Sequence, residues 1–154
     1  MADGVGAVNL GGAGAHGFIG GTVPQVVAIA NATAQGANIG STTLYAVPAG
    51  SGGMYRASVY LVITQAATTS STMPAGQVAW TDSDTSGAEG PISVTNTSTA
   101  NVVGLPSSSA TGLGMLVIYA KAGTNITYST TGYVSSGVTP MQYAIHVRLE
   151  YLGV

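Results

Sequence analysis

The chain has 154 residues and only 5% of them are charged, with three Lys and Arg against five Asp and Glu. Its length suits one domain plus an arm, and three basic residues are too few to line a phosphate backbone, which excludes nucleic acid as a partner. The chain has no cysteine, so disulfides, zinc–thiolate sites and thiol nucleophiles are excluded. No apolar run approaches the roughly 20 residues of a membrane-spanning helix, so no membrane partner is expected.

The chain begins with a stretch rich in Gly and Ala, residues 1–21, which we predict to be an extended, flexible arm. Its G-x-G-x-x-G string at 12–17 matches the dinucleotide fingerprint, but no strand precedes it and no helix follows, so no cofactor is expected. Glycine carries high backbone entropy, so this segment should order only against a partner or a neighbouring subunit. His16, Phe18 and Ile19 would anchor it there. A merely floppy terminus is the alternative.

Residues 22–154 predict one all-β domain. Apolar and β-branched runs alternate with Gly, Pro, Ser and Thr turns about every ten residues, and no segment has helical periodicity. Strands are predicted at 23–30, 41–47, 54–64, 77–81, 91–95, 115–121, 126–129 and 141–152. This pattern favours an antiparallel β-sandwich with jelly-roll topology. The turns at 48–53 and 122–125 each predict a hairpin between the strands that flank them.

The last strand, 141–152, has the clearest pattern, because its side chains alternate between an apolar and a mixed face. The apolar face is expected in the core, and consists of Met141, Tyr143, Ile145, Val147, Leu149 and Tyr151. The other face holds His146, Arg148 and Glu150, three of the few ionisable groups in the chain. We predict that these three lie at a subunit seam with Arg56 and Tyr60 of the other long strand. There an Arg148–Glu150 pair, across or along the interface, would fix register rather than add much stability.

Catalysis is not expected, so the chain is not predicted to be an enzyme. Its two histidines are His16, in the arm, and His146, in a strand beside Arg148 and Glu150. A triad needs a nucleophile and an orienting acid around a histidine. Polar residues on a sheet face or at a subunit seam explain His146 better, although a pH-sensitive contact is an alternative. A carboxylate pair for glycoside hydrolysis would come from the loop after residue 81 and from Glu150, with no sign of a cleft.

The acidic loop is the weak candidate for a metal site, through Asp82, Asp84 and Glu89. Its D-x-D-x-S-G string at 82–87 matches the opening of a calcium-binding loop. The acid required at the twelfth position is missing, because Ser93 stands there. A solvated loop tip explains the acidic cluster equally well.

The aromatic residues allow a different function. Eight tyrosines and Trp80 supply nearly all of the aromatic content, mostly at strand positions. Such residues usually lie at the edge of a core or in subunit contacts. An exposed platform of tyrosines and Trp80 that binds sugar is the alternative interpretation.

From about residue 38 onward the chain contains short sequence motifs that are fairly specific but are not associated with any known chemistry. They are IGSTTLY at 39–45, GMYR at 53–56, AATTSS at 66–71, VAWTD at 78–82, AKAGT at 120–124 and MQYAIHVRLE at 141–150. On these residues the chain resembles small uncharacterised virion proteins of tailed bacteriophages. The resemblance covers about three quarters of the chain and leaves the arm outside it.

The resemblance implies a component of the virion surface, assembled in the host cytoplasm. We therefore expect a non-enzymatic structural protein that decorates the capsid as a cement or head-fibre protein and attaches through its N-terminal arm. Its partners would be copies of itself, as a homotrimer, and the major capsid protein or another virion protein. The net charge of −2 gives little self-repulsion and favours such oligomers. The alternative is a tail-fibre tip or adhesin module that recognises host surface glycan.

Overall fold

A computed structural model describes residues 24–95 and 111–154, which form ten strands and no helix. The strands are β1 (Gln25–Gln35), β2 (Thr42–Ala46), β3 (Gly53–Gln65), β4 (Ser70–Thr72), β5 (Ala75–Thr81), β6 (Ala88–Ser93), β7 (Thr111–Ala120), β8 (Asn125–Thr131), β9 (Val134–Ser136) and β10 (Gln142–Gly153). The described ranges accordingly contain no helix long and apolar enough to cross a membrane.

The strands form two four-stranded sheets and one small pair, and every pairing is antiparallel. Sheet A has the order β1-β10-β3-β7 and sheet B the order β2-β8-β5-β6. The two sheets share one core of side chains from both inner faces, as in a β-sandwich. The predicted all-β antiparallel sandwich is confirmed. Strands β4 and β9 form the third sheet, which the sequence did not predict because its serines and threonines resemble a loop.

Both predicted hairpins are wrong. Strands β2 and β3 lie in different sheets, and so do β7 and β8; of the consecutive strands in sheets A and B, only β5 and β6 pair with each other. The turns that follow β2 and β7 instead lie against one another. Val47 N donates to Thr124 O at 2.8 Å, and Gly123 N donates to Val47 O at 2.9 Å. Gly and Pro mark a change of direction, but they do not determine which strand the chain then joins.

The first strand is longer than predicted, and the reason lies in its partner. Residues 31–35 read NATAQ, which lacks the large apolar side chains typical of a strand. In the structure they continue β1 alongside β10, where Asn31 is opposite His146 and Ala32 is opposite Ile145. Tertiary pairing therefore extends the strand beyond its local β-propensity.

The core is built around the inner faces of β10 and β3. Tyr143, Ile145, Val147 and Leu149 are each at most 1% exposed. Met141, just before β10, is also fully buried, whereas Tyr151 is half-buried. The predicted core face of the last strand is confirmed, because the side chains alternate in and out of the sandwich.

Gly76 of β5 allows the two sheets to approach closely. A Cβ at this position would lie 2.8 Å from Val59 Cγ1 and 2.9 Å from Leu61 Cδ1, both on β3. Real side-chain atoms do not pack this tightly, so any larger residue would push sheet B away from sheet A.

A buried hydroxyl network links β10 and β8 to the segment that precedes β2. The Tyr143 hydroxyl donates to Ala37 O at 2.8 Å and lies 2.8 Å from Thr130 Oγ1. Ile39 N in turn donates to Thr130 Oγ1 at 2.7 Å. The network satisfies polar groups that would otherwise be buried without partners.

We expect Tyr143→Phe to lower the free energy of unfolding by about 1–3 kcal/mol, because the Ala37 carbonyl and the Thr130 hydroxyl lose their buried partner. Chemical denaturation of both proteins measures this. Tyr60→Phe is the matched control, since Tyr60 is 38% exposed. Equal effects of the two substitutions would contradict the network's contribution.

Alkaline pH should unfold the protein through its core tyrosines. Burial raises the pKa of Tyr55 and of Tyr143 above the value of an exposed tyrosine. Because each pKa is higher in the folded than in the unfolded state, the stability from these groups is complete below about pH 10 and is lost as the pH rises further.

Absorbance of tyrosinate against pH should therefore show a part that ionises reversibly and a part that ionises only as the β-sheet circular dichroism disappears. Ionisation of all eight tyrosines in one step near pH 10, with the fold intact, would contradict this.

Candidate functional site

The outer face of sheet A collects all five residues predicted for the subunit seam. In the antiparallel register of β10 and β3, Glu150 is opposite Arg56 and His146 is opposite Tyr60, while Arg148 is opposite Ser58. Opposite residues of antiparallel strands point to the same side. The structure brings the five residues together on one face, and their role between subunits stays a prediction.

Glu150 lies between two arginines. Arg56 Nε donates to Glu150 Oε2 at 2.7 Å and Arg56 Nη2 contacts the same oxygen, while Arg148 Nη2 lies 3.1 Å from Oε1. The Glu150 side chain is 11% exposed, against 34% for Arg56 and 57% for Arg148. The predicted Arg148–Glu150 pair thus forms within one subunit, along the strand. Two guanidinium groups share one carboxylate, so this ion cluster has one positive charge in excess.

His146 contacts neutral groups. Its Nδ1 lies 2.7 Å from the amide oxygen of Asn31, which accepts the hydrogen bond, and its ring lies 5.9 Å from that of Tyr60. In the described part of the chain, no hydroxyl nucleophile or carboxylate is hydrogen-bonded to this imidazole. The hydrogen bond to Asn31 orients the imidazole on the outer face of sheet A.

A shallow groove of about 590 Å³ crosses the same face. Two rows of opposite residues line it across the four strands: Ile29, Arg148, Ser58 and Met115, then Asn31, His146, Tyr60 and Leu113. Leu113 is 71%, Ile29 63% and Met115 62% exposed. The small Ser58 leaves the floor low between the larger side chains. The ion cluster therefore borders an apolar groove that is open to solvent.

Sequence reasoning missed the contribution of β7 to this groove. The sequence predicted a loop up to residue 112 and a strand only from residue 115. The signal was an inverted alternation, in which Leu113, Met115 and Val117 point outward and glycines occupy the inner positions 112 and 114. At Gly114 a Cβ would lie 1.7 Å from the carbonyl oxygen of Val94, so the inner side has no room for a side chain.

The three acidic residues of the weak metal candidate do not form one site. Asp82 Oδ1 accepts hydrogen bonds from the backbone amides of Asp84 and Thr85 at 3.0 Å each, and from Thr85 Oγ1 at 3.2 Å. The hydrogen bond from the Thr85 amide is the main cause of the lowered pKa of Asp82. Glu89 lies in β6, opposite Trp80. Residues 24–95 and 111–154 contain no cluster of three His, Cys, Asp or Glu that could hold a metal ion.

The alternative interpretation, an exposed platform of Trp80 and tyrosines, does not fit the described strands. Trp80 lies in β5, packs against the core and has its indole Nε1 buried. Among the eight tyrosines only Tyr60 is exposed, and it lies on the outer face of sheet A. The reason is that the strand pairings turn Trp80, Tyr55 and Tyr143 toward the core. The predicted arm anchor, His16, Phe18 and Ile19, lies outside the described residues.

Comparisons with known proteins do not assign the chain to a family. No model of a protein family matches the chain, and no curated protein sequence matches it.

Arg56→Ala should lower the free energy of unfolding by about 1–2 kcal/mol, because Glu150 loses two charge-assisted hydrogen bonds while Arg148 still partly neutralises it. Arg56→Lys should recover only part of the loss, since an ammonium group cannot reproduce the guanidinium fork. Urea denaturation at one dilute protein concentration measures both. Lys121→Ala is the control, because Lys121 Nζ donates to the Ser86 hydroxyl and forms no ion pair within the described residues; a loss as large there would contradict the special position of Arg56.

Proposed function

We propose that this protein is a non-enzymatic structural protein of a bacteriophage virion. It decorates the capsid, as a cement or head-fibre protein, associates with copies of itself through the outer face of sheet A and attaches through its N-terminal arm. The observation that carries the proposal is the combination, on one exposed sheet face, of an apolar groove and two of the chain's three basic residues.

The apolar part of this face supports self-association. Ile29, Leu113, Met115 and Val117 are each about half exposed or more, and they share the outer side of one sheet. Monomeric soluble proteins rarely expose contiguous apolar patches of more than a few hundred Å², and larger ones mark interaction sites. Burying these side chains against another subunit would remove them from water.

The polar part of the face supports a specific contact over simple adhesion. The cluster of Glu150, Arg56 and Arg148 lies beside the groove and orients two guanidinium groups. Charged groups at an interface determine partner and register more than they determine affinity. Only 5% of the residues are charged, so two arginines on one face are a large share of the basic residues of the chain.

The strand order supports a jelly roll, the topology the sequence favoured. Four strands in the order β1-β10-β3-β7 face four in the order β2-β8-β5-β6, and among the strands of residues 24–95 and 111–154 β5–β6 is the only consecutive pair within a sheet of the sandwich. A chain that crosses between two sheets at nearly every turn builds this double-sheet arrangement, which viral capsid and lectin domains use. A fold does not by itself determine function, so the sheet face remains the main argument.

Deleting residues 1–21 should abolish attachment to particles and leave a folded oligomer, because the outer face of sheet A is unchanged. The test adds full-length and truncated protein to purified phage particles that lack the protein, and quantifies the bound copies by sedimentation and electron cryomicroscopy. Full-length protein is the positive control. Attachment of the truncated protein in full copy number would refute the role of the arm, and the absence of full-length protein from every particle would refute the decoration role.

A further inference from the structure

We infer that the groove on the outer face of sheet A receives strand β6 of a second copy of the same chain, and that Glu89 of one copy pairs with Arg148 of its neighbour. The inference rests on the proposed self-association and adds the second half of the contact. It describes a heterologous interface, in which two different surfaces of the same chain meet.

The groove provides a positive charge that its own subunit does not neutralise. Glu150 is the acidic member of the ion cluster and already contacts both arginines. Arg148 is the more exposed of the two, at 57%, and it lines the groove. A docking surface for this groove should therefore be apolar and carry one carboxylate.

Strand β6 has those properties. It is an edge strand of sheet B, and all six of its residues are exposed. Ile92 is 41% exposed, Pro91 lies beside it, and Glu89 forms no ion pair with any residue in the described ranges 24–95 and 111–154. An edge strand with exposed backbone and apolar side chains is a natural docking element.

The width of the groove and the length of β6 are of similar size. The groove crosses the four strands of sheet A, a width of about 14 Å at the usual strand spacing, and a six-residue strand is about 20 Å long. The strand would place Ile92 among Ile29, Leu113 and Met115, while Glu89 reaches Arg148 at the margin of the groove. Apolar surface then meets apolar surface, and the excess positive charge of one copy's ion cluster meets the Glu89 carboxylate of the other.

The same charges disfavour the simplest alternative, a dimer that packs two outer faces of sheet A against each other. That arrangement would bring two ion clusters together, each with one positive charge in excess, and like charges across an interface are costly. The other acidic side chains in the described residues, Asp82 and Asp84, lie in the loop before β6 rather than on sheet A. An acidic partner for the groove is thus available on the β6 side of another copy.

Charge reversal tests the contact. Native mass spectrometry and light scattering would measure the mass of full-length wild type, Arg148→Glu and Glu89→Arg across protein concentration. We expect each variant alone to raise the dissociation constant at least tenfold, and an equimolar mixture of the two to recover contacts between unlike variants, because each of those contacts regains opposite charges. Lys121→Glu reverses a charge outside the contact and should keep the mass of the wild type.

Circular dichroism and thermal unfolding of each variant separate misfolding from loss of contact. A wild type that is oligomeric while neither variant changes its mass would overturn the β6 contact and leave self-association standing. Folded variants that each dissociate but form no contact with one another in the mixture would also overturn it. A wild type that stays monomeric at all concentrations would overturn the proposed self-association itself.

Discussion

The antiparallel pairing of β10 with β3 is the constraint on which the rest of the structure depends. These two long strands lie at the centre of sheet A, and their register runs from Gln142 opposite Gln65 to Gly153 opposite Met54. Because side chains alternate faces, a slip of one residue would turn the core side chains outward and the ion cluster inward. The register that buries Tyr143, Ile145, Val147 and Leu149 is therefore the same register that places Glu150 beside Arg56. The core and the candidate site therefore lie on opposite faces of the same pair of strands.

The scarcity of charge makes the position of each ionisable group informative. A carboxylate as little exposed as Glu150 needs compensation, and two guanidinium groups provide it. The same compensation leaves the outer face with an excess positive charge next to an apolar groove. Packing of the sandwich and the proposed recognition of another subunit would thus be coupled through one side chain, Glu150.

The sequence predicted some parts of the fold well and others poorly, for physical reasons. Long alternating runs such as 141–152 and 54–64 identified the central strands, because a period of two over ten or more residues has no helical equivalent. The hairpins around 48–53 and 122–125 were predicted wrongly, because turn composition reports local geometry and not the sheet that the next strand joins. The alternative of an exposed Trp80 could not be decided from the sequence, because a single aromatic residue near an acidic loop carries no information on which side of its strand faces the core. The groove was missed because the outward direction of Leu113 and Met115 follows from the close approach of Val94 to Gly114, a contact between segments far apart in the chain.

The sequence by itself determined the all-β class, the central strands with their inner faces, and the grouping of His146, Arg148 and Glu150 on one side of the last strand. These properties follow from composition and from the alternation of side chains, which are local. Only the tertiary structure decided which strands are neighbours, that Arg56 and Arg148 share one carboxylate, and that β7 completes an exposed apolar groove beside them. Those properties depend on pairings between residues far apart in the chain, such as Arg56 with Glu150, whose geometry arises when the two sheets close over a common core.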